Sequence, residues 1–320
     1  MDRSGLAEEN TLDHLVRNRP LSSPSAPQST DPKILRQPAA FGKRLVAQAN
    51  QIARKFGVEL RRFELPENRS FDNWMYYATL LQTALTRHRS GSDDRLEAAF
   101  IDCCVQNHQR SKSQIFQDLL VLLVTQEKRN GFFVEFGATN GVSLSNTALL
   151  EKSFGWQGIL AEPARTWHKA LAQNRACTLE PRCVWSETGQ KLRFNEAYSS
   201  ELSTLDQYTG HDNHAANRSL GRHYFVDTIS LNDLLRHHGA PRSIDYISID
   251  TEGSEYPILA NFDFAAYDIG IMTVEHNYVS PERERVHDLL RDNGFERVLV
   301  DYSLFDDWYV RRELIGASGA

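Results

Sequence analysis

The sequence predicts an α/β fold built on a mostly parallel sheet, and three observations predict it. From Ser113 onward short apolar segments alternate with helix-like ones, which is how a parallel sheet with crossover helices is written. At residues 131–147, GFFVEFGATNGVSLSNT, an apolar strand runs through Glu135 into two glycines and then a helix. Residues 158–161 form a second apolar strand that ends in Glu162, about 20 residues beyond the turn, where nucleotide-binding α/β folds hold ribose hydroxyls.

Along the chain the organisation falls into three parts. Residues 1–40 carry Pro20, Pro24, Pro27, Pro32 and Pro38 among Ser, Gln and Asp, with little apolar periodicity. Burial there cannot offset the entropy of ordering, so a disordered N-terminal arm is expected. Residues 41–110 show helical spacing at Leu45, Ile52 and Phe56, at Trp74, Tyr77, Leu80, Leu81 and Leu85, and at Leu96, Phe100 and Ile101. These predict three helices forming a cap region that supports the domain behind it or acts as a lid. Residues 111–320 are the α/β domain, with strands expected at 132–136, 158–161, 182–185, 244–249, 269–274, 295–300 and 308–310. An insertion at 190–226, with extra strands around a loop rich in Asn, His and Gly, separates the third from the fourth.

The turn after the first strand departs from the dinucleotide fingerprint G-x-G-x-x-G, because Thr139 and Val142 stand where its second and third glycines belong. Glu135 is also a poor neighbour for a pyrophosphate. Like charges roughly 5 Å apart at an effective dielectric of about 20 repel by about 3 kcal/mol. The same carboxylate suits a cation, and S-adenosylmethionine (SAM) carries an ammonium and a sulfonium beside its ribose. Glu135, Gly137 and Gly141 are therefore assigned to a SAM site, with Glu162 as the ribose acceptor.

At this point the residues resemble a known family, the FkbM-type methyltransferases, a branch of the class I SAM-dependent enzymes. The resemblance rests on Ser113-Gln114, Gln117-Asp118, Phe133-Val134-Glu135-Phe136-Gly137-Ala138, Leu144-Ser145-Asn146-Thr147, Leu149-Leu150-Glu151, Gly155-Trp156-Gln157-Gly158, Ala161-Glu162-Pro163 and Ile249-Asp250-Thr251-Glu252-Gly253-Ser254-Glu255. It implies a Rossmann-like sheet of seven strands, the last pair antiparallel, and adds Ala138, Asn140 and Asp250 to the cofactor contacts. Asn140 stands where similar proteins often carry Asp. The resemblance also implies methyl transfer from SAM to a hydroxyl, often on a sugar or a polyketide-like product.

Chemistry is expected at the carboxyl ends of the fourth and fifth strands, in Asp250-Thr251-Glu252 and Glu275-His276. A sugar hydroxyl is scarcely ionised at neutral pH, so transfer benefits from a general base. His276 is the first candidate, with Glu275 orienting it, and Asp250 competes for the role; Glu252 is a further catalytic candidate. Asp250, Glu252, Glu275 and His276 are also ligands that a divalent ion takes. Adjacent strand residues point to opposite faces, which sets Glu275 and His276 apart, so the preferred reading assigns no metal.

Composition is that of an ordinary globular chain: 320 residues, 41% hydrophobic and 24% charged. A net charge of −6 argues against a general nucleic-acid surface. No apolar run reaches the roughly 20 residues of a membrane span, and the N-terminus lacks the pattern of a signal peptide, so a cytoplasmic protein is expected. Cys103, Cys104, Cys177 and Cys183 fit neither a zinc spacing nor a disulfide framework. Residues 141–145, GVSLS, lack the final glycine of a nucleophile elbow. His211 and His214 are read as solvated, and His237-His238 as the cationic end of a helix. The leading expectation is a SAM-dependent O-methyltransferase acting on a small-molecule or glycan acceptor; the sequence assigns no oligomeric state. The alternatives are a nicotinamide-dependent oxidoreductase and a binding module that keeps the fold without the chemistry.

Overall fold

The computed structural model describes residues 71–89 and 94–315. The expected arm at 1–40, the first of the three expected helices and the loop between the other two lie outside the described residues. Two helices open the described chain, α1 (Phe71–Arg89) and α2 (Arg95–Asn107), followed by α3 (Gln117–Val124). Asp94 caps α2 by accepting from the backbone N–H of Leu96 and Glu97, satisfying donors that the first turn leaves open.

The main sheet has seven strands: β1 (Phe132–Phe136), β2 (Gln157–Ala161), β3 (Thr178–Glu180), β8 (Ser243–Ile249), β9 (Asp268–Glu275), β10 (Phe295–Val298) and β11 (Asp306–Arg311). They lie in the order β3-β2-β1-β8-β9-β11-β10, with β11 antiparallel to both its neighbours. The remaining pairs are parallel. This is the class I methyltransferase sheet, with the order reversing between β1 and β8. Helices α4 (Ala148–Phe154) and α5 (His168–Asn174) make the first two crossovers, and α7 (Leu231–His237), α8 (Glu255–Ala260) and α9 (Ser280–Asp292) the later ones; α10 (Arg312–Ile315) ends the described chain.

The strands are buried on both faces, as a parallel sheet between helices requires. One face packs on α1 to α4, where Tyr76, Leu80, Phe100 and Cys104 share a core with Leu119, Phe133, Tyr246 and Trp308. The other packs Val134, Ile247 and Met272 on Leu234, Leu259 and Leu290. Phe100 meets Trp308 edge to face at 5.3 Å, the Tyr76 hydroxyl donates to the Tyr302 carbonyl at 3.1 Å, and the Tyr302 hydroxyl donates to Glu97 at 2.7 Å. The described helices of the expected cap region thus supply part of the main core, and Asn68–Ala320 forms one compact unit.

The third strand differs from expectation. The expected residues 182–185 do form a strand, β4 (Cys183–Trp185), yet it pairs with β7 (Arg222–Ser230) in a second sheet. The main sheet is completed by Thr178–Glu180, a short edge segment with one buried side chain that carries no apolar signature. Pro181, which lacks an N–H for the ladder, separates the two. The second sheet, ordered β4-β7-β5-β6, includes β5 (Lys191–Glu196) and β6 (Thr204–Leu205), which are the extra strands of the insertion. One turn of helix, α6 (Ala215–Arg218), lies in its loop.

Candidate active site

An open cavity of about 370 Å³ lies over the carboxyl ends of β1, β2, β8 and β9, and the insertion closes one side of it with Phe194, Leu202 and Leu205. This is the crevice that the strand reversal creates in open α/β sheets. Gly137, Glu135, Glu162, Asp250, Glu252 and Glu275 all line it.

Gly137 stands where β1 meets β8. Its φ is 72°, and a Cβ added there would fall 2.3 Å from the Asp250 carbonyl oxygen, so only glycine fits. Gly141, at φ 77°, packs on Leu171 and Arg175. Between them Asn140 accepts from the N–H of Val142 at 2.9 Å and of Ser143 at 2.8 Å, which sets the turn. Ala138, Asn140 and Gly141 thus build the turn whose other members, Gly137 and Thr139, line the cavity.

Glu135 lines the cavity from within a network of its own. Its carboxylate accepts from Asn146 N–H at 2.7 Å, from the Thr147 hydroxyl at 2.5 Å and from the Ser145 hydroxyl at 3.1 Å. The fully buried Arg175 stands 3.7 Å away and also holds Glu151 at 2.5 Å and the Gly141 carbonyl at 3.1 Å. Burial raises the Glu135 pKa, and the Arg175 charge pulls it back. The group forms part of the cavity wall, yet its charge is answered within the loop rather than offered to a ligand.

Glu162 keeps its expected place. One oxygen accepts from Thr139 N–H at 2.8 Å and the other from Ala164 N–H at 2.7 Å, so it ties the glycine turn to the end of β2. Each oxygen retains a further lone pair, and the residue lines the cavity. Burial nevertheless outweighs these two donors and pushes its pKa up to about 7.

Across the cavity the β8–β9 register pairs Ile249 with Val274, which brings Asp250 beside Glu275. Burial pushes Asp250 up to about 7 while a hydrogen bond to Glu275 opposes the rise, and burial with the neighbouring acids lifts Glu275 and Glu252 well above the ordinary range. Glu252 has φ 58°, a region non-glycine residues rarely adopt, and Thr139 at 46° and Asn277 at 44° line the same cavity. Glu255, by contrast, accepts from Thr251 N–H at 2.9 Å and Gly253 N–H at 3.1 Å and holds its own loop together.

His276 does not join this group. Its Nε2–H donates to the Asp306 carbonyl at 3.0 Å, its Nδ1 accepts from Tyr278 N–H at 2.9 Å, and it faces a separate small cavity beside Arg283 and Asp307. It stands just beyond the last residue of β9 and is absent from the lining of the larger cavity. Both ring nitrogens are engaged and burial lowers its pKa, so its expected role as general base is withdrawn.

Three side chains at the site went unrecognised in the sequence. Arg218, fully buried in α6, binds Asp212 at 2.8 and 3.0 Å, Glu252 at 2.6 Å and the Leu202 carbonyl at 2.8 Å, pinning the insertion to the end of β8. Asp306 lines the cavity and accepts from Gln117 at 2.8 Å, and burial pushes it up to about 8. Asn277 donates to Glu252 at 3.0 Å.

Residues 135–297 match the family model described as "Methyltransferase FkbM domain". The chain belongs to the FkbM methyltransferase family. For an FkbM methyltransferase the transferred group is methyl, which sets the hydride-transfer alternative aside. No curated protein gives a significant match. Among solved structures, a putative O-methyltransferase from Klebsiella pneumoniae is 12% identical with a TM-score of 0.36, over 73% of this chain and 96% of that one. An O-methyltransferase from Bacillus cereus in complex with SAH is 11% identical with a TM-score of 0.33, over 83% of this chain and 97% of that one. The Methanococcus jannaschii fibrillarin pre-rRNA processing protein is 13% identical with a TM-score of 0.32, over 62% and 74%. Among the described residues no helix of this FkbM chain is long and apolar enough to cross a membrane.

Proposed function

We propose that this FkbM chain transfers a methyl group from SAM to a hydroxyl oxygen of a sugar-containing or secondary-metabolite acceptor. The observation that carries the reading is the placement of Glu162: a buried carboxylate at the end of β2, joined to the glycine turn and facing a cavity of small-molecule size. The donor set suits the group. Gly137 and Thr139 offer close backbone, Glu162 accepts ribose hydroxyls, Ala161, Val184 and Cys183 form an apolar wall, and the acids at the β8 end favour a cationic ligand. SAM, when bound, supplies an electrophilic methyl carbon on a positively charged sulfur.

With His276 removed, the base falls to the Asp250–Glu275 pair, two of the acids that line the cavity. Asp250, when ionised, would accept the acceptor's hydroxyl proton, and bound SAM would supply the methyl group that takes its place on the oxygen. Such proton transfer contributes typically 10²–10⁴-fold, and orientation of oxygen, carbon and sulfur several kcal/mol more. The insertion that lines one side, with exposed Tyr198 and Leu220 in its loop, is the natural place for acceptor recognition. Equilibrium titration of the protein with SAM, S-adenosylhomocysteine and NAD(P) tests the assignment of the cavity. Saturable binding of the first two with none of the third supports it, and preference for NAD(P) rejects it.

A further inference from the structure

The Ser113-Gln114 and Gln117-Asp118 motif has no part in the cofactor seat, yet the fold brings it to the cavity, where Gln114 and Gln117 line the wall. Its other members hold a turn. Ser113 Oγ accepts from the Asp118 N–H at 3.0 Å, and the Asp118 carboxylate accepts from the Ser111 hydroxyl at 2.6 Å and the Lys112 N–H at 3.1 Å. Between them Phe116, fully buried, stands at φ 67°, a left-handed conformation that a bulky residue keeps only where its surroundings enforce it. The turn fixes Gln117. Its Oε1 accepts from the Ile115 N–H at 3.2 Å, so Nε2 is the end that donates to Asp306 Oδ2, at 2.8 Å. That donation uses one of the two N–H groups on Nε2. The other Asp306 oxygen receives no hydrogen bond among the described residues; the Trp308 ring N–H stands near the carboxyl without closing one. Gln117 and Asp306 are both buried and both line the cavity, with an N–H of one and an oxygen of the other unspent.

Position assigns the pair to the acceptor. Because β11 runs antiparallel to β9, its first residue, Asp306, arrives at the carboxyl ends of the parallel strands, opposite Glu275 in register. Glu162, at the end of β2, stands four strands away in the sheet order, roughly 19 Å at about 4.8 Å per strand. With ribose at Glu162 and the glycine turn on β1, the cofactor takes the β2 side of the cavity and leaves the β11 side to the acceptor. We propose that Gln117 and Asp306 form a subsite for a second hydroxyl of the acceptor, adjacent to the one that is methylated, so that the enzyme selects vicinal diols such as those of sugar rings. A hydroxyl both accepts and donates, and so completes both halves of the pair: the Gln117 N–H donates to its oxygen, and its own hydrogen goes to Asp306. When Asp306 carries a proton the second bond reverses direction, and the hydroxyl still fits. An apolar substituent leaves both groups unpaired in a buried wall, and a carboxylate meets an ionised Asp306 as a like charge. Residues directly opposite on antiparallel strands have Cβ atoms about 4.5–5.5 Å apart, so hydroxyls on neighbouring carbons reach both Asp306 and the Asp250–Glu275 pair. Which hydroxyl reacts rests on the proposed methyl transfer, whereas the preference for binding a diol does not.

The test titrates the full chain, saturated with S-adenosylhomocysteine, by ligand-detected NMR. The probes are the cyclohexanediol with adjacent hydroxyls, its isomer with hydroxyls on opposite carbons, cyclohexanol, and methyl glucopyranoside beside its monodeoxy derivatives. Release of S-adenosylhomocysteine from SAM is followed on the same probes. The expected result is a preference of roughly tenfold or more for adjacent hydroxyls, because a site built to hydrogen-bond a hydroxyl rejects an analogue that lacks it. Gln117→Leu and Asp306→Leu each bring that ratio toward one while SAM affinity holds. Asp306→Asn, which still accepts from Gln117 and still offers a polar group, keeps part of the preference. Asp288→Asn, an exposed acid on α9, keeps the parent's ratio. Circular dichroism checks that the variants fold, and Gln117→Leu serves alone if Asp306→Leu does not. Equal binding of adjacent and separated diols, no probe bound at all, or a ratio unchanged in folded Gln117→Leu would each overturn the subsite. Diol-selective binding without S-adenosylhomocysteine release leaves the subsite standing and rejects the transfer, and release from acceptors that lack adjacent hydroxyls does the reverse.

Discussion

Replacing Glu162 by glutamine in the ligand-free protein should be more favourable to stability at alkaline pH than at pH 5. Burial holds the folded carboxyl at about 7 against an ordinary value of 4.5, with two backbone N–H groups already counted in its favour. A raised carboxyl pKa means that the fold prefers the neutral form, so stability is full below about pH 4.5 and is lost as pH rises through about 7. At about 1.4 kcal/mol for each tenfold change in proton affinity, the displacement amounts to about 3 kcal/mol above pH 8. The glutamine is neutral throughout and escapes that loss, although its NH2 cannot accept from one of the two backbone donors, which costs about 1–3 kcal/mol at every pH. For a unit of this size, about 3 kcal/mol corresponds to roughly 6–12 °C in Tm. Paired thermal scans at pH 5 and pH 8.5 read the difference directly, and taking variant against parent cancels every other titrating group. A variant-minus-parent difference no more favourable at pH 8.5 than at pH 5 would refute the reasoning, because the folded carboxyl would then titrate near its ordinary value.

Other predictions concern the surrounding residues. Arg218→Met should cost about 3–5 kcal/mol in urea unfolding, since it strands Asp212 and Glu252 without their shared cation, and adding Glu252→Gln should recover part of the loss. Gly137→Ala should abolish SAM binding in a calorimetric titration, because its Cβ and the Asp250 carbonyl cannot share the space and its φ of 72° disfavours any side chain. His276→Gln should lower stability while leaving the pH dependence of turnover unchanged, as both ring nitrogens are engaged with backbone; a shifted profile would return it to the site. Glu162→Ala should weaken SAM roughly 10- to 100-fold through lost charge-assisted hydrogen bonds, each worth about 1.5–3 kcal/mol, and unchanged affinity in a folded variant would reject the ribose assignment.

How far the sequence could be read depended on the range of the interaction involved. The β1 strand was legible because five residues, four of them buried, run directly into a glycine at positive φ, and Glu162 because a strand of apolar residues delivers it to the crevice. Strand β3 was hidden because an edge segment buries one side chain in three and leaves no alternation. The carboxylate pair Asp250 and Glu275 was legible as two neighbouring strand ends. The Arg218 clamp was not, since its partners come from the insertion loop and from Glu252, 34 residues away. Asp306 meets Gln117 across 189 residues, a distance no local pattern spans. His276 was chosen for its chemistry, and the backbone groups that engage both its ring nitrogens, one of them 30 residues away at Asp306, leave no local pattern.

The proposed function stands on delivery of a methyl group to a hydroxyl oxygen within the acid-lined cavity. Incubating the protein with methyl-labelled SAM and a panel of hydroxylated glycans and secondary metabolites, and following both S-adenosylhomocysteine release and the fate of the label by mass spectrometry, tests it most directly. Acceptor-dependent release is expected, with the label recovered as an O-methyl group. Tight SAM binding with no release across the panel, or label recovered on nitrogen or carbon, would contradict it.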